Sequence, residues 1–117
     1  MAYDEDLAER IRELVATQSN LTEQKMFGGL AFLINGHMAV AASVQGGLMV
    51  HSDPADVDRL TRSGAASPME MRGRQMKGWL RVASDDVRTK RQLSRWVTVG
   101  TDYARSLPPK TKATRRR

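Results

Sequence analysis

The chain has no cysteine and only two histidines among its 117 residues. Without thiols it can form no disulfide framework, no thiolate nucleophile and no cysteine-based zinc site. His37 and His51 do not make a metal centre either, because His51-Ser52-Asp53 offers at most two ligands at a strand end. Aromatic residues are scarce, at 5%, so the core must rest on Leu, Val, Ile, Ala and methionine. No apolar run approaches the ~20 residues of a membrane span. The opening Met1-Ala2-Tyr3-Asp4-Glu5-Asp6 is acidic and does not read as a signal peptide. The expectation from these absences is a cytoplasmic protein with no membrane partner, no metal and no cofactor.

What is present suits one small globular domain: 40% of the residues are apolar, enough for a single core at this length. The net charge of +6 looks like a nucleic-acid signal. Its location weakens that reading. Lys110, Lys112, Arg115, Arg116 and Arg117 supply five cations and no acid falls among them, which leaves 14 basic against 13 acidic residues in the rest of the chain. The expected division is a nearly neutral domain over residues 1–109 and a disordered basic tail over 110–117, able to hold a polyanion weakly.

Leu7, Ile11, Leu14 and Val15 share one helical face behind Asp4, Glu5 and Asp6, predicting a helix over about 4–18. Lys25-Met26-Phe27 reads as a short strand ending at Gly28-Gly29, and Leu30 to Ile34 as a second. Asn35-Gly36 is a strong two-residue hairpin signal, since a type I′ turn needs positive φ at both positions. His37 to Ala42 returns antiparallel, and Gly46-Gly47 turns into Leu48 to His51. Asp53-Pro54 caps and opens a second helix that Gly64 ends. A loop at Ser67-Pro68 leads to a strand at Met69-Glu70-Met71, and Gly73 turns into Gln75 to Val82. Ser84 or Asp85 caps a third helix whose apolar side carries Val87, Leu93, Trp96, Val97, Gly100, Ala104 and Leu107. The order α-β-β-β-α-β-β-α predicts an α+β domain, an antiparallel sheet of about five strands with flanking helices.

Four runs, in this order and spacing, carry a resemblance: Lys25-Met26-Phe27-Gly28-Gly29, Phe32-Leu33-Ile34-Asn35-Gly36, Met76-Lys77-Gly78-Trp79 and the exit Ser106-Leu107-Pro108-Pro109. Together they resemble the N-terminal domain of the TfoX/Sxy competence-regulator family, over about residues 1–109. The resemblance implies an antiparallel sheet with flanking helices, and a bacterial regulatory domain linked to transcription or competence. It gives Met26, Phe27, Gly28, Gly29, Gly36 and Gly78 as motif positions with structural roles. Longer family members carry a C-terminal domain that looks like a helical nucleic-acid-associated module, where this sequence has the tail Lys110 to Arg117.

Candidate chemistry is sparse. The glycine runs lie between strands rather than before a helix, so they offer no phosphate cradle, and tight turns or bulges are the simpler account. No Ser-His-Asp or paired-carboxylate arrangement can be argued, because the acids cluster at helix starts. The methionines at alternating strand positions are expected to fill the core. The best site candidate is the stripe Lys77, Trp79 and Arg81 on one side of a strand, with Arg72 and Arg74 just upstream. Cations flanking an aromatic ring can stack bases and hold phosphates. The simpler account is a sheet face with Trp79 half-covered by its own chain or a second copy. Arg88, Arg91 and Arg95 form a basic helical face that can track phosphates or merely face solvent. The expectation is a non-enzymatic regulatory or interaction domain whose partner is another protein or a second copy of itself. The alternative is direct nucleic-acid binding through the basic sheet face and the tail.

Overall fold

The structure is a computed structural model, described for residues 4–26, 29–43, 46–62, 64–71 and 73–108, with backbone alone at 70, 71 and 74–77. Phe27, Gly28, Arg72 and the tail fall outside the described residues.

Helix α1 spans Glu5–Leu14, and Asp4 caps it by accepting the Leu7 N–H (3.1 Å). Four strands follow, β1 (Leu21–Met26), β2 (Gly29–Ile34), β3 (His37–Ala42) and β4 (Leu48–His51). The Asp53 carboxylate accepts the Ala55 N–H (2.9 Å) over a 3-10 turn at Pro54–Asp56, which continues into α2 (Val57–Thr61). Strands β5 (Ala66–Met71) and β6 (Arg74–Val82), a 3-10 turn at Ser84–Val87 and the long helix α3 (Lys90–Ser106) complete the fold.

The class is α+β with an antiparallel sheet, as the sequence predicts. Among the described residues the strands number six, in the order β1-β2-β3-β4-β6-β5. The Asn35-Gly36 turn has φ of 55° and 86° and pairs Ile34 with His37 and Phe32 with Val40. Helices α1 and α3 touch each other and both pack on β3, so they share one face of the sheet. Leu7, Ile11 and Val15 of the α1 region, Phe32 and Val40 of the sheet, and Leu93, Trp96 and Val97 of α3 form one buried cluster.

Details differ from the sequence reading: α1 ends at Leu14 rather than near 18, and β1 begins at Leu21 rather than Lys25. Strand β5 begins at Ala66, so Ser67-Pro68 is strand rather than loop. Proline is tolerated because β5 is the edge strand and its register shifts between Pro68 and Glu70. The cap of α3 is Thr89 rather than Ser84 or Asp85. Its hydroxyl accepts the Gln92 N–H (3.0 Å) and Gln92 Oε1 accepts the Thr89 N–H (2.9 Å), a reciprocal capping box. Met26, Met38, Met49 and Met69, expected to fill the core, are half-buried, and the side chains of Met71 and Met76 fall outside those described.

Polar anchors fix the two long helices side by side and pointing the same way. From the middle of α1, Arg10 donates to the carbonyls of Val87 and Arg88 (both 2.9 Å), just ahead of α3. Beyond the end of α1, Gln18 Oε1 (2.6 Å) and the Ser19 carbonyl (3.2 Å) accept from Arg105 in the last turn of α3.

Arg12 links α1 to the edge strand, with Nε and Nη2 at 2.7 and 2.9 Å from the two oxygens of Glu23; it also pairs with Glu9. Hydrogen bonding from Arg12 lowers the Glu23 pKa below its ordinary value, against a smaller opposing effect of burial. A carboxylate whose folded pKa is depressed contributes stability above its unfolded pKa and loses it as pH falls through the folded pKa. Glu23→Gln is therefore expected to cost a few tenths of a kcal/mol at neutral pH, the scale of an exposed pair. Urea titrations of variant and parent should converge in acid below the ordinary carboxylate range. A difference that persists there would mean the pair is not its source.

Candidate interaction surface around Trp79

Strand β6 lies between β4 and the edge strand β5 and pairs with β4 in a register that sets His51 opposite Trp79, Val50 opposite Leu80 and Met49 opposite Arg81. The Trp79 and His51 rings stack, with centroids 4.1 Å apart and planes 7° from parallel. Tyr103 of α3 meets the same imidazole edge-on, at 5.0 Å and 87°. His51 Nδ1 donates to the Met38 carbonyl (3.2 Å), which fixes the ring between its neighbours. Two elements far apart in sequence thus hold one imidazole, and Trp79 lies half-buried against it.

Gly78 explains how the strand delivers Trp79. It is buried with φ of 79°, and a Cβ there would sit 2.6 Å from the Ser52 carbonyl oxygen and 3.3 Å from Pro54 Cγ. Both the backbone angle and the close approach require glycine. The segment that comes close is the turn after β4: the Ser52 N–H donates to the Gly78 carbonyl at 2.7 Å.

Arg81 continues a cross-strand row, Ala31–Ala41–Met49–Arg81. Val40, whose Cγ1 abuts α3 at Gly100, faces the helices. Its neighbour Ala41, and with it the row, faces away from them. Arg81 is half-buried and donates to the Gly46 carbonyl at 3.5 Å.

Of the five residues of the expected surface, the structure places Trp79 and Arg81 two residues apart on β6, either side of Leu80. Lys77 and Arg74 are located by backbone alone, and Arg72 lies outside the described residues. Of the motif positions, Gly29 is buried at the start of β2, Gly36 is the exposed turn residue and Met26 is half-buried; Phe27 and Gly28 are outside the described residues. Sequence reasoning missed His51 and Tyr103 as partners of Trp79. The missing signal was the β4–β6 pairing, which no local pattern encodes.

No group of three or more His, Cys, Asp or Glu able to hold a metal occurs among the described residues. Nor is any helix of the described residues long and apolar enough to cross a membrane. The model of the TfoX N-terminal domain family matches residues 13–104, from the end of α1 to the last turns of α3. The chain belongs to the TfoX N-terminal domain family. The match spans the whole sheet and the Trp79–His51–Tyr103 ring set of this TfoX domain. No curated protein and no solved structure matches the chain.

Trp79→Ala in this TfoX domain is expected to cost about 2 kcal/mol, below the ~3–5 kcal/mol of a fully buried tryptophan, because the ring is half-buried and loses mainly one stacked pair. Urea unfolding gives the cost, and the His51 ring resonances should move as the stack is lost. A cost near that of a core tryptophan would place Trp79 deeper than the geometry does.

Proposed function

We propose that this TfoX domain is a non-enzymatic regulatory module that works by holding another protein or a second copy of itself, in the bacterial cytoplasm, in the control of transcription or competence. Family membership supports the regulatory role. The observation that carries the interaction reading is half-buried Trp79 stacked on His51, with Arg81 two residues farther along the same strand. Tryptophan and arginine are the side chains that most often anchor protein interfaces. Rings already fixed by His51 also lose less freedom on binding. The test is partner capture on the immobilised full chain from the source cell, beside sedimentation of the free chain. A discrete partner or self-association lost with Arg81→Glu, at an unchanged thermal midpoint, is the expected result. Equal recovery by parent and variant would sink this surface.

A second reading, direct nucleic-acid binding, is favoured by one observation: Lys90, Arg91 and Arg95 are exposed along α3, in a chain whose last eight residues add five cations. A gel shift at several salt concentrations tests it, since affinity through phosphate contacts falls steeply with salt. Deleting residues 110–117 should leave the thermal midpoint nearly unchanged and flatten that salt dependence. A chain ending at Pro109 that binds as tightly as the full one would move attention to α3 and the sheet.

A further inference from the structure

Asn20 and Asn35 are the only two asparagines in the sequence. Among the described residues they are also the only non-glycine positions with positive φ, 59° and 55°. They face each other: Asn20 Nδ2 donates to Asn35 Oδ1 (2.8 Å), and the Asn35 N–H donates to the Asn20 carbonyl (3.1 Å). The assignment of nitrogen and oxygen within each carboxamide can be exchanged without losing the contact, since each group both donates and accepts. Both sides of this clasp are tied to α3 or to the segment just past it. Arg105 holds Gln18 and Ser19, next to Asn20, and His37 Nε2 donates to the Pro108 carbonyl at 2.6 Å, one turn residue beyond Asn35-Gly36.

Asparagine followed by glycine is the pairing in which a carboxamide is most open to attack by the next main-chain nitrogen, because glycine has no side chain to obstruct it. Here the pair sits in an exposed turn. The Gly36 nitrogen loses its proton and attacks Cγ of Asn35; the new N–Cγ bond forms, the Cγ–Nδ2 bond breaks, and ammonia leaves carrying the proton. Water then opens the cyclic imide at either carbonyl, giving aspartate or isoaspartate. Closing the ring requires the Asn35 side chain to leave the Asn20 amide and swing over the Gly36 nitrogen.

We propose that Asn35-Gly36 is the deamidation site of this chain and that Asn20 is a positioning residue that slows the reaction. The isoaspartate product adds a methylene to the main chain inside a two-residue turn. That turn sets the Ile34–His37 pairing and, through His37, the contact with Pro108, two residues past the end of α3.

The test is to age the full chain at mildly alkaline pH and follow the amide-to-acid mass gain on the peptide holding Asn35. Three samples are compared: the folded parent, folded Asn20→Gly, and the parent in urea. Glycine keeps the positive φ at position 20 while removing the carboxamide. The expected order is parent slowest, Asn20→Gly about fivefold faster, the factor of one ordinary hydrogen bond, and urea fastest. Asn20→Asp, whose carboxylate accepts from the Asn35 amide turned about, should restore the slow rate. Equal rates in folded parent and urea would overturn the hold of the fold. Equal rates in parent and Asn20→Gly, or an Asn20→Asp rate matching an accelerated Asn20→Gly, would overturn the role of Asn20.

Discussion

Trp96→Ala is expected to destabilise the domain by about 3–5 kcal/mol, the cost of removing a fully buried large ring. Trp96 is 2% exposed, the largest of the deeply buried side chains, and lies in the cluster where α1, α3 and the sheet meet. Few large side chains are available to collapse into the void, because the chain has so few aromatics. Urea unfolding monitored by far-UV circular dichroism gives the figure. A loss below about 1 kcal/mol would mean that α3 does not dock through this ring.

The second large effect comes from adding one carbon. Gly100→Ala improves an exposed helix by ~1 kcal/mol on propensity alone. In α3 the added Cβ would fall within the contact distance of the Ala39 carbonyl oxygen, 2.8 Å from the Ala39 carbonyl carbon and 2.7 Å from Val40 Cγ1. Two of these are backbone atoms of a central strand and cannot rotate away. The net result is expected to be destabilising by about 2–3 kcal/mol, the range of an overpacked core, with α3 pushed off β3. Thermal unfolding decides the sign, and a raised midpoint would mean a looser helix–strand contact than the one described.

Local signals brought the sequence most of the way to this fold. Asn35-Gly36 located a hairpin because two consecutive positive φ angles admit few residues, and Asp53-Pro54 located a helix start because the side-chain acceptor and the fixed φ act on adjacent atoms. What local signals missed involved competition or distance. Ser84, Asp85 and Thr89 are all good caps; Gln92, three residues on, singles out Thr89. Pro68 reads as a breaker unless its strand is known to be an edge. Trp79 was legible as a candidate, but not its stacking on His51, which depends on β4 meeting β6 across the intervening α2 and β5. Arg10 and Arg105 gave no signal at all, since each serves oxygens 77 or more positions away.

Because α1 and α3 point the same way, the first turn of α1 and the last turn of α3 lie at opposite poles of the domain. Re-ordering the chain as a circular permutant would therefore need a bridge alongside the whole of α3. Its 17 residues rise about 25 Å. That gap needs about eight extended residues. A shorter joint would drag Arg105 away from Ser19 or unwind the last turn, whereas a reporter fused at one pole leaves the other unobstructed.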